Sequence, residues 1–244
     1  MNEDYLNKIT QKDFVTYYRR PVMGWLAKTI FSSVGKKLIM GLTGLFLVTF
    51  LLVHLAGNFA LLRSDGGAAF DAYSHFMSTN PLIRILEIGL VLGFLLHIID
   101  GVMVWYGNKM ARPQGYAVNH PQENSSFFSR TMIWSGALIF VFLVIHLMNF
   151  LVSHRLMGDG SESMYMAVKQ VFEMEGYAAF YILSMVLLAF HLNHGFQSAF
   201  QTLGLNHKKY TPLIKAVGLI YSVLVPLGYA FLPAFFLVKK YLNL

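Results

Sequence analysis

Five stretches of this chain, at about residues 38–62, 83–106, 131–153, 177–202 and 213–238, are each long and predominantly apolar. A helix needs roughly 20 such residues to cross the hydrocarbon core of a bilayer, and in lipid a helix satisfies its own backbone hydrogen bonds. The runs therefore predict an all-α integral membrane protein of five transmembrane helices. Between them lie RSDGGAAFDAYSHFMSTNP, GNKMARPQGYAVNHPQENSS, HRLMGDGSESMY and GLNHKKYTP, short and rich in polar and turn residues. With no long polar insert, the expected organisation is one membrane domain, residues 38–244, preceded by a basic arm, residues 1–37. Charged residues make up 13% of the chain, where a soluble domain carries about 25%.

The formal net charge of +7 and the absence of cysteine bound the chemistry. No basic stripe interleaved with aromatics marks a nucleic-acid surface, so no nucleic-acid partner is expected. The charge fits basic loops facing an anionic leaflet or an acidic partner. Without thiolates the chain holds no disulfide, no covalently attached c-type haem and no cysteine-ligated iron–sulfur cluster or zinc. Redox chemistry would need a cofactor held by histidine or methionine. The N-terminus does not read as a cleavable signal peptide, because its first apolar run begins only after Lys37 and Glu3, Asp4 and Asp13 precede it.

Lysine and arginine set an expected orientation. One side carries thirteen: Lys8, Lys12, Arg19, Arg20, Lys28, Lys36 and Lys37 in the arm, Lys109, Arg112 and Arg130 in the second loop, and Lys208, Lys209 and Lys215 in the fourth. The other carries six: Arg63, Arg84, Arg155, Lys169, Lys239 and Lys240. The positive-inside rule puts the N-terminus in the cytoplasm and the C-terminus outside. Asp159, Glu162, Glu173 and Glu175 in the third loop agree. The arm mixes aromatics with its cations, as a segment lying on the membrane surface or docking on a cytoplasmic partner would.

Histidine is costly in hydrocarbon unless paired or bound, yet the first four predicted spans hold one each: His54, His97, His146 and His191, the last accompanied by His194. His54 stands nine residues before Arg63 and His146 nine before Arg155; His97 follows Arg84 by thirteen and His191 follows Glu175 by sixteen. At a rise of about 1.5 Å per residue, the first two share a level near the outer surface and the other two a level roughly 6–10 Å deeper. Two levels of two histidines match the need of two bis-histidine haems stacked across a membrane, where one imidazole from each of two helices grips the iron. Such six-coordinate iron suits electron transfer. Zinc prefers three or four ligands converging at one point.

A porphyrin also needs room. His97 is followed by Gly101 and His191 by Gly195, each glycine one turn on and on the same helix face as its histidine. Gly44 and Gly136 each precede a histidine, His54 and His146, by ten residues. Ten residues do not return to one face, so this second coincidence carries little weight here.

The order and spacing of VHLAGN at His54, FDAYSHFMSTNPLIRILEI between the first two spans, LHIIDGV at His97, IHLMN at His146 and FHLNHGFQSAF at His191 resemble the cytochrome b subunit of succinate:quinone oxidoreductases. The resemblance is to the single-subunit, five-helix, two-haem form found in succinate dehydrogenases and quinol:fumarate reductases, and covers the chain from about Lys36 onward. It implies two haem b groups, ligated by His54 with His146 and by His97 with His191, and it prefers His191 to His194. It implies a flavoprotein subunit and an iron–sulfur subunit as partners, which carry the FAD and the clusters, with the succinate chemistry on the flavoprotein. It further implies a quinone, menaquinone, as the membrane substrate, a bacterial cytoplasmic membrane as the location, and a homodimer of the three-subunit unit. Some fumarate reductases of this type use a glutamate two residues before the fourth-span histidine in proton movement. Ala189 stands there in this chain, which puts such a pathway in doubt.

Other residues are assigned no role. Asp100, one turn past His97, reads as a partner of a loop lysine or a proton donor near the deeper level; His75, His120, His154 and His207 read as loop or span-end residues, and neither a catalytic residue nor a quinone site is assigned. Two further readings remain open: a dihaem subunit of another membrane dehydrogenase, such as a hydrogenase or formate dehydrogenase, and a transporter using histidines as a proton relay. Inverted repeats or broken helices would favour the transporter, and the spans show neither clearly.

Overall fold

Each of the five apolar runs folds as a helix long and apolar enough to cross a membrane, and among the described residues the chain is helical with no strand. The structure, a computed structural model, describes residues 24–111, 123, 125–158 and 163–243. The arm through residue 23, Arg112 and His120 of the second loop, Asp159 and Glu162 of the third loop and the side chain of Arg155 lie outside the described residues. The chain divides at Lys36. In the first unit the described part is a short helix, α1 (Trp25–Ile30), and the first turn of the next helix, in which Ser32 Oγ accepts from the Gly35 amide at 3.0 Å.

The second unit, from Lys37, holds the spans: α2 (Ser33–Asn58, after its first turn), which tightens into a 3₁₀ turn at Phe59–Leu62; α4 (Pro81–Met110); α6 (Met132–Leu147), which widens into a π-helical segment at Met148–Leu156; α8 (Glu175–Thr202); and α9 (Thr211–Leu242). The apolar core of each run was legible, but the helices outrun it: α4 begins at Pro81 rather than residue 83 and ends at Met110 rather than 106. Its start is set locally, because Pro81 fits the first helical position and Asn80 Oδ1 accepts from the Leu82 amide at 3.0 Å.

Two connections expected as loops contain helices, α3 (Ala68–Thr79) and α7 (Met164–Glu173); a four-residue helix, α5 (Phe127–Arg130), precedes α6. The π segment, α3 and α7 form one end of the bundle. There Phe70, Tyr165, Val168 and Phe172 pack with Leu61, Tyr181, Leu232 and Phe236 in a buried cluster. Asp71 ties the two loops together: its Oδ2 accepts from Ser163 Oγ at 2.6 Å and its Oδ1 from the Tyr165 amide at 2.8 Å. Ser163 in turn caps α7 by accepting from the Met166 amide at 3.1 Å. Gly67 precedes α3 at φ +97°, a left-handed conformation, and lies against the Tyr165 ring, so any side chain there would collide with it.

Neighbour contacts place α2, α4, α6 and α8 in a ring. Phe46 lies against Gly93 and Phe50 meets Phe94 edge-on, joining α2 to α4; α4 touches α6, and α6 packs along α8. Gly41 closes the ring against Ala199 of α8. Helices α2 and α6 are thus opposite corners, as are α4 and α8. The fifth span, α9, packs most closely on α8 and also reaches α2, where Tyr221 Oη donates to the Val48 carbonyl at 2.5 Å and Tyr229 Oη to that of Leu51 at 2.7 Å. Pro226 and Pro233 lie buried inside α9, where neighbouring helices tolerate the lost backbone bonds.

Candidate functional site

The ring geometry aims the four histidines at one another in pairs. His54 of α2 and His146 of α6, on opposite corners, have ring centres 6.0 Å apart with planes at 84°. His97 of α4 and His191 of α8, on the other diagonal, have ring centres 6.4 Å apart at 70°. The pairing expected from depth along the chain is the pairing found in space. His194, half-buried on α8, is not the residue opposite His97. All four paired rings are only partly enclosed by protein.

Each pair is held differently. At the level nearer α3 and α7, the preceding turn of the same helix supplies a flat support: Phe50 stacks on His54 with ring centres 5.2 Å apart at 14°, and Phe142 stacks on His146 at 5.7 Å and 29°. Phe150 meets the His146 ring edge-on at 5.3 Å and Tyr229 lies 5.9 Å from the His54 ring. His146 Nδ1 is buried with no hydrogen-bond partner among the described residues.

At the other level, support comes from the neighbouring helix. Gly44 of α2 lies against His97, where an added Cβ would stand 3.3 Å from Cε1; Gly136 of α6 lies against His191 with the corresponding distance 3.4 Å. The preceding residue in each case supplies a hydroxyl: Thr43 Oγ1 is 3.3 Å from His97 Nδ1, and Ser135 Oγ is 3.3 Å from His191 Nδ1.

The glycines one turn past the histidines meet other neighbours. Gly101 and Gly195, expected to open space beside their own histidines, face methionine tips across the helix interface: Cβ atoms there would stand 3.4 Å from Met40 Cε and 3.5 Å from Met132 Cε. The ten-residue coincidence of Gly44 and Gly136, given little weight, is the one that touches imidazole. Ten residues carry a glycine round to another face, and that face meets the histidine of the next helix.

Comparison of this chain with protein-family models, with curated proteins and with solved structures finds no match. The site therefore rests on its own geometry, and that geometry repeats. Met40, Thr43, Gly44, Phe50 and His54 of α2 recur as Met132, Ser135, Gly136, Phe142 and His146 of α6, each 92 positions on; His97 and Gly101 recur as His191 and Gly195, 94 positions on. The two halves, α2–α3–α4 and α6–α7–α8, place equivalent side chains in equivalent contacts. Sequence reasoning missed Thr43, Ser135, Phe50 and Phe142, and this repeat was the signal that could have found them.

The remaining histidines are not gathered into the pairs. His75 lies within α3 rather than in a loop, its carbonyl accepting from Ser78 and Thr79 hydroxyls. His207 Nδ1 accepts from the Lys209 amide at 3.2 Å in an exposed turn. His154 sits in the π segment with Nδ1 buried and no hydrogen-bond partner among the described residues. Asp100 is buried on α4.

Proposed function

We propose that this chain is the dihaem cytochrome b membrane anchor of a succinate:quinone oxidoreductase, passing electrons between an iron–sulfur partner subunit and a membrane quinone. The observation that carries the reading is the pair of opposed imidazole couples at 6.0 and 6.4 Å. A metal–nitrogen bond of about 2 Å on either side, with about 1 Å from nitrogen to ring centre, puts coaxial imidazoles about 6 Å apart. Two such couples on the two diagonals fit two six-coordinate irons, and the residues around them fit haem in kind: neutral donors, apolar and aromatic walls, and no thiolate.

His54 and His146 would hold the outer haem and His97 and His191 the inner one. When bound, haem of this ligation supplies one-electron transfer with little change in coordination. The chain's own contribution is to fix the four rings. Phe50 and Phe142 brace the outer pair, the Thr43 and Ser135 hydroxyls and the Gly44 and Gly136 backbones seat the inner pair, and the apolar spans keep bulk water from the wire. The basic side, with the N-terminus, would face the cytoplasm of a bacterial cell and take the iron–sulfur and flavoprotein subunits, which carry the clusters and FAD. Menaquinone as substrate and a homodimer of the three-subunit unit belong to the same proposal.

The test is to purify the complex with its native partners, count b-type haem per polypeptide and add succinate anaerobically. Two haems per chain, reduced by succinate, is the expected result. Fewer than two would overturn the paired ligation. Two haems indifferent to succinate but reduced by hydrogen or formate would assign the anchor to another membrane dehydrogenase.

A further inference from the structure

The hydroxyls beside His97 and His191 have already committed their protons. Thr43 Oγ1 donates to the Ile39 carbonyl at 2.7 Å, and Ser135 Oγ donates to the Met132 carbonyl at 3.0 Å. A hydroxyl has one proton and two lone pairs. With the proton spent along its own helix, each oxygen faces the imidazole 3.3 Å away as an acceptor. The ring nitrogen must then be the donor, so both histidines carry their proton on Nδ1. A neutral imidazole carries one N–H, which leaves Nε2 of each ring as the bare, ligating nitrogen.

The same device occurs twice, 92 positions apart, on two helices that face different histidines. One chance contact would carry little. A threonine and a serine each bonded back to a carbonyl of its own preceding turn, with the same following glycine and the same 3.3 Å approach to Nδ1, define a built feature. The outer pair lacks it, since His146 Nδ1 has no hydrogen-bond partner among the described residues.

We propose that Thr43 and Ser135 are positioning residues for the inner haem, accepting from Nδ1–H of His97 and His191 to lock both rings in the tautomer that ligates through Nε2 and to strengthen their donation to iron. The proposal rests on the dihaem reading. A ligating imidazole that gives its other N–H to an acceptor is more basic, and a more basic ligand favours the oxidised iron. The two hydroxyls therefore hold the inner potential down without touching the outer one.

The experiment is an equilibrium redox titration of the intact complex carrying Thr43→Val, Ser135→Ala or both, with haem counted in each. Two haems should remain in every variant. In the double variant the haem that disappears from His191→Ala should rise in midpoint by about 59 mV, the equivalent of a tenfold change for a one-electron couple. The other midpoint should stay in place, and Thr43→Ser should titrate as wild type. Unmoved midpoints, or a shift confined to the haem lost in His54→Ala, would overturn the proposal while leaving the dihaem reading intact. A wild-type chain without haem would overturn that reading and this role together. Nitrogen-15 spectra of the reduced, histidine-labelled complex give an independent check: Nδ1–H is expected at His97 and His191, and Nε2–H at either would overturn the assignment even if a variant failed to assemble.

Discussion

Gly136 of one helix lies flat against His191 of the next, leaving 3.4 Å between Cε1 and the place a Cβ would occupy, and Gly44 stands in the same relation to His97 at 3.3 Å. That spacing is close enough that even alanine would need the ring to give by a few tenths of an ångström. Valine would drive its branch into the imidazole, and inserting atoms into packed contacts forces neighbours off their rotamers. On the proposed dihaem reading, Gly44→Val and Gly136→Val should therefore each lose most of the inner haem, at least tenfold in occupancy, while the outer haem stays. Gly44→Ala should keep both. Quantitative haem analysis with low-temperature spectra to separate the two checks this, and equal loss of both haems in the valine variants would count against it.

The second prediction concerns the two histidines of α8. His191 is opposite His97 and His194 is not, so under the proposed dihaem ligation His191→Ala should reduce the haem count from two to one and His194→Ala should leave two. His54→Ala and His146→Ala should each remove the other haem and spare the first. Retention of both haems in His191→Ala would overturn the pairing.

Much of this was legible because the membrane simplifies the reading. Runs of apolar residues announced the spans, and Arg63, Arg155, Arg84 and Glu175 marked helix ends well enough to sort His54 with His146 and His97 with His191 by depth. What was not legible depends on helix neighbours. Nothing along α2 says that Gly44 faces His97 rather than His54, because a glycine's use is set by the helix opposite. Helices α3 and α7 were hidden by their length: Tyr165, Val168 and Phe172 have helical spacing, but the segment is too short to span and looked like a loop. The π segment after His146 left no readable mark in MNFLVSHRL.

The third prediction tests the loop clasp at Asp71. Its carboxylate accepts from Ser163 Oγ and the Tyr165 amide, joining α3 to the start of α7. Asp71→Ala removes both bonds, and losing a capping-type contact of this kind costs about 0.5–2 kcal/mol. The expected outcome is faster proteolysis between residues 158 and 164 and a lower melting temperature in detergent, with the proposed haem content unchanged. Unchanged proteolysis would show that the clasp is dispensable.

The last prediction concerns alkaline pH. Tyr73, on α3 outside the spans, has its phenol raised above the ordinary value of 10.0 by burial, and the ring lies directly on Gly57 of α2. The folded chain keeps the phenol neutral where the unfolded chain would ionise it. Its contribution to stability is fully present below about pH 10 and is lost as pH rises through the folded value. Tyr73→Phe should flatten the fall in melting temperature above pH 10 relative to wild type and change little at pH 7. Gly57→Ala should flatten that fall too, but with a loss at neutral pH: its Cβ would need the space the phenol occupies, so it should expel the ring, lower the melting temperature at pH 7 and bring the phenol's titration, followed by ultraviolet difference absorption, back toward the ordinary value. A Tyr73→Phe variant with wild-type alkaline behaviour would mean that other groups carry the high-pH loss.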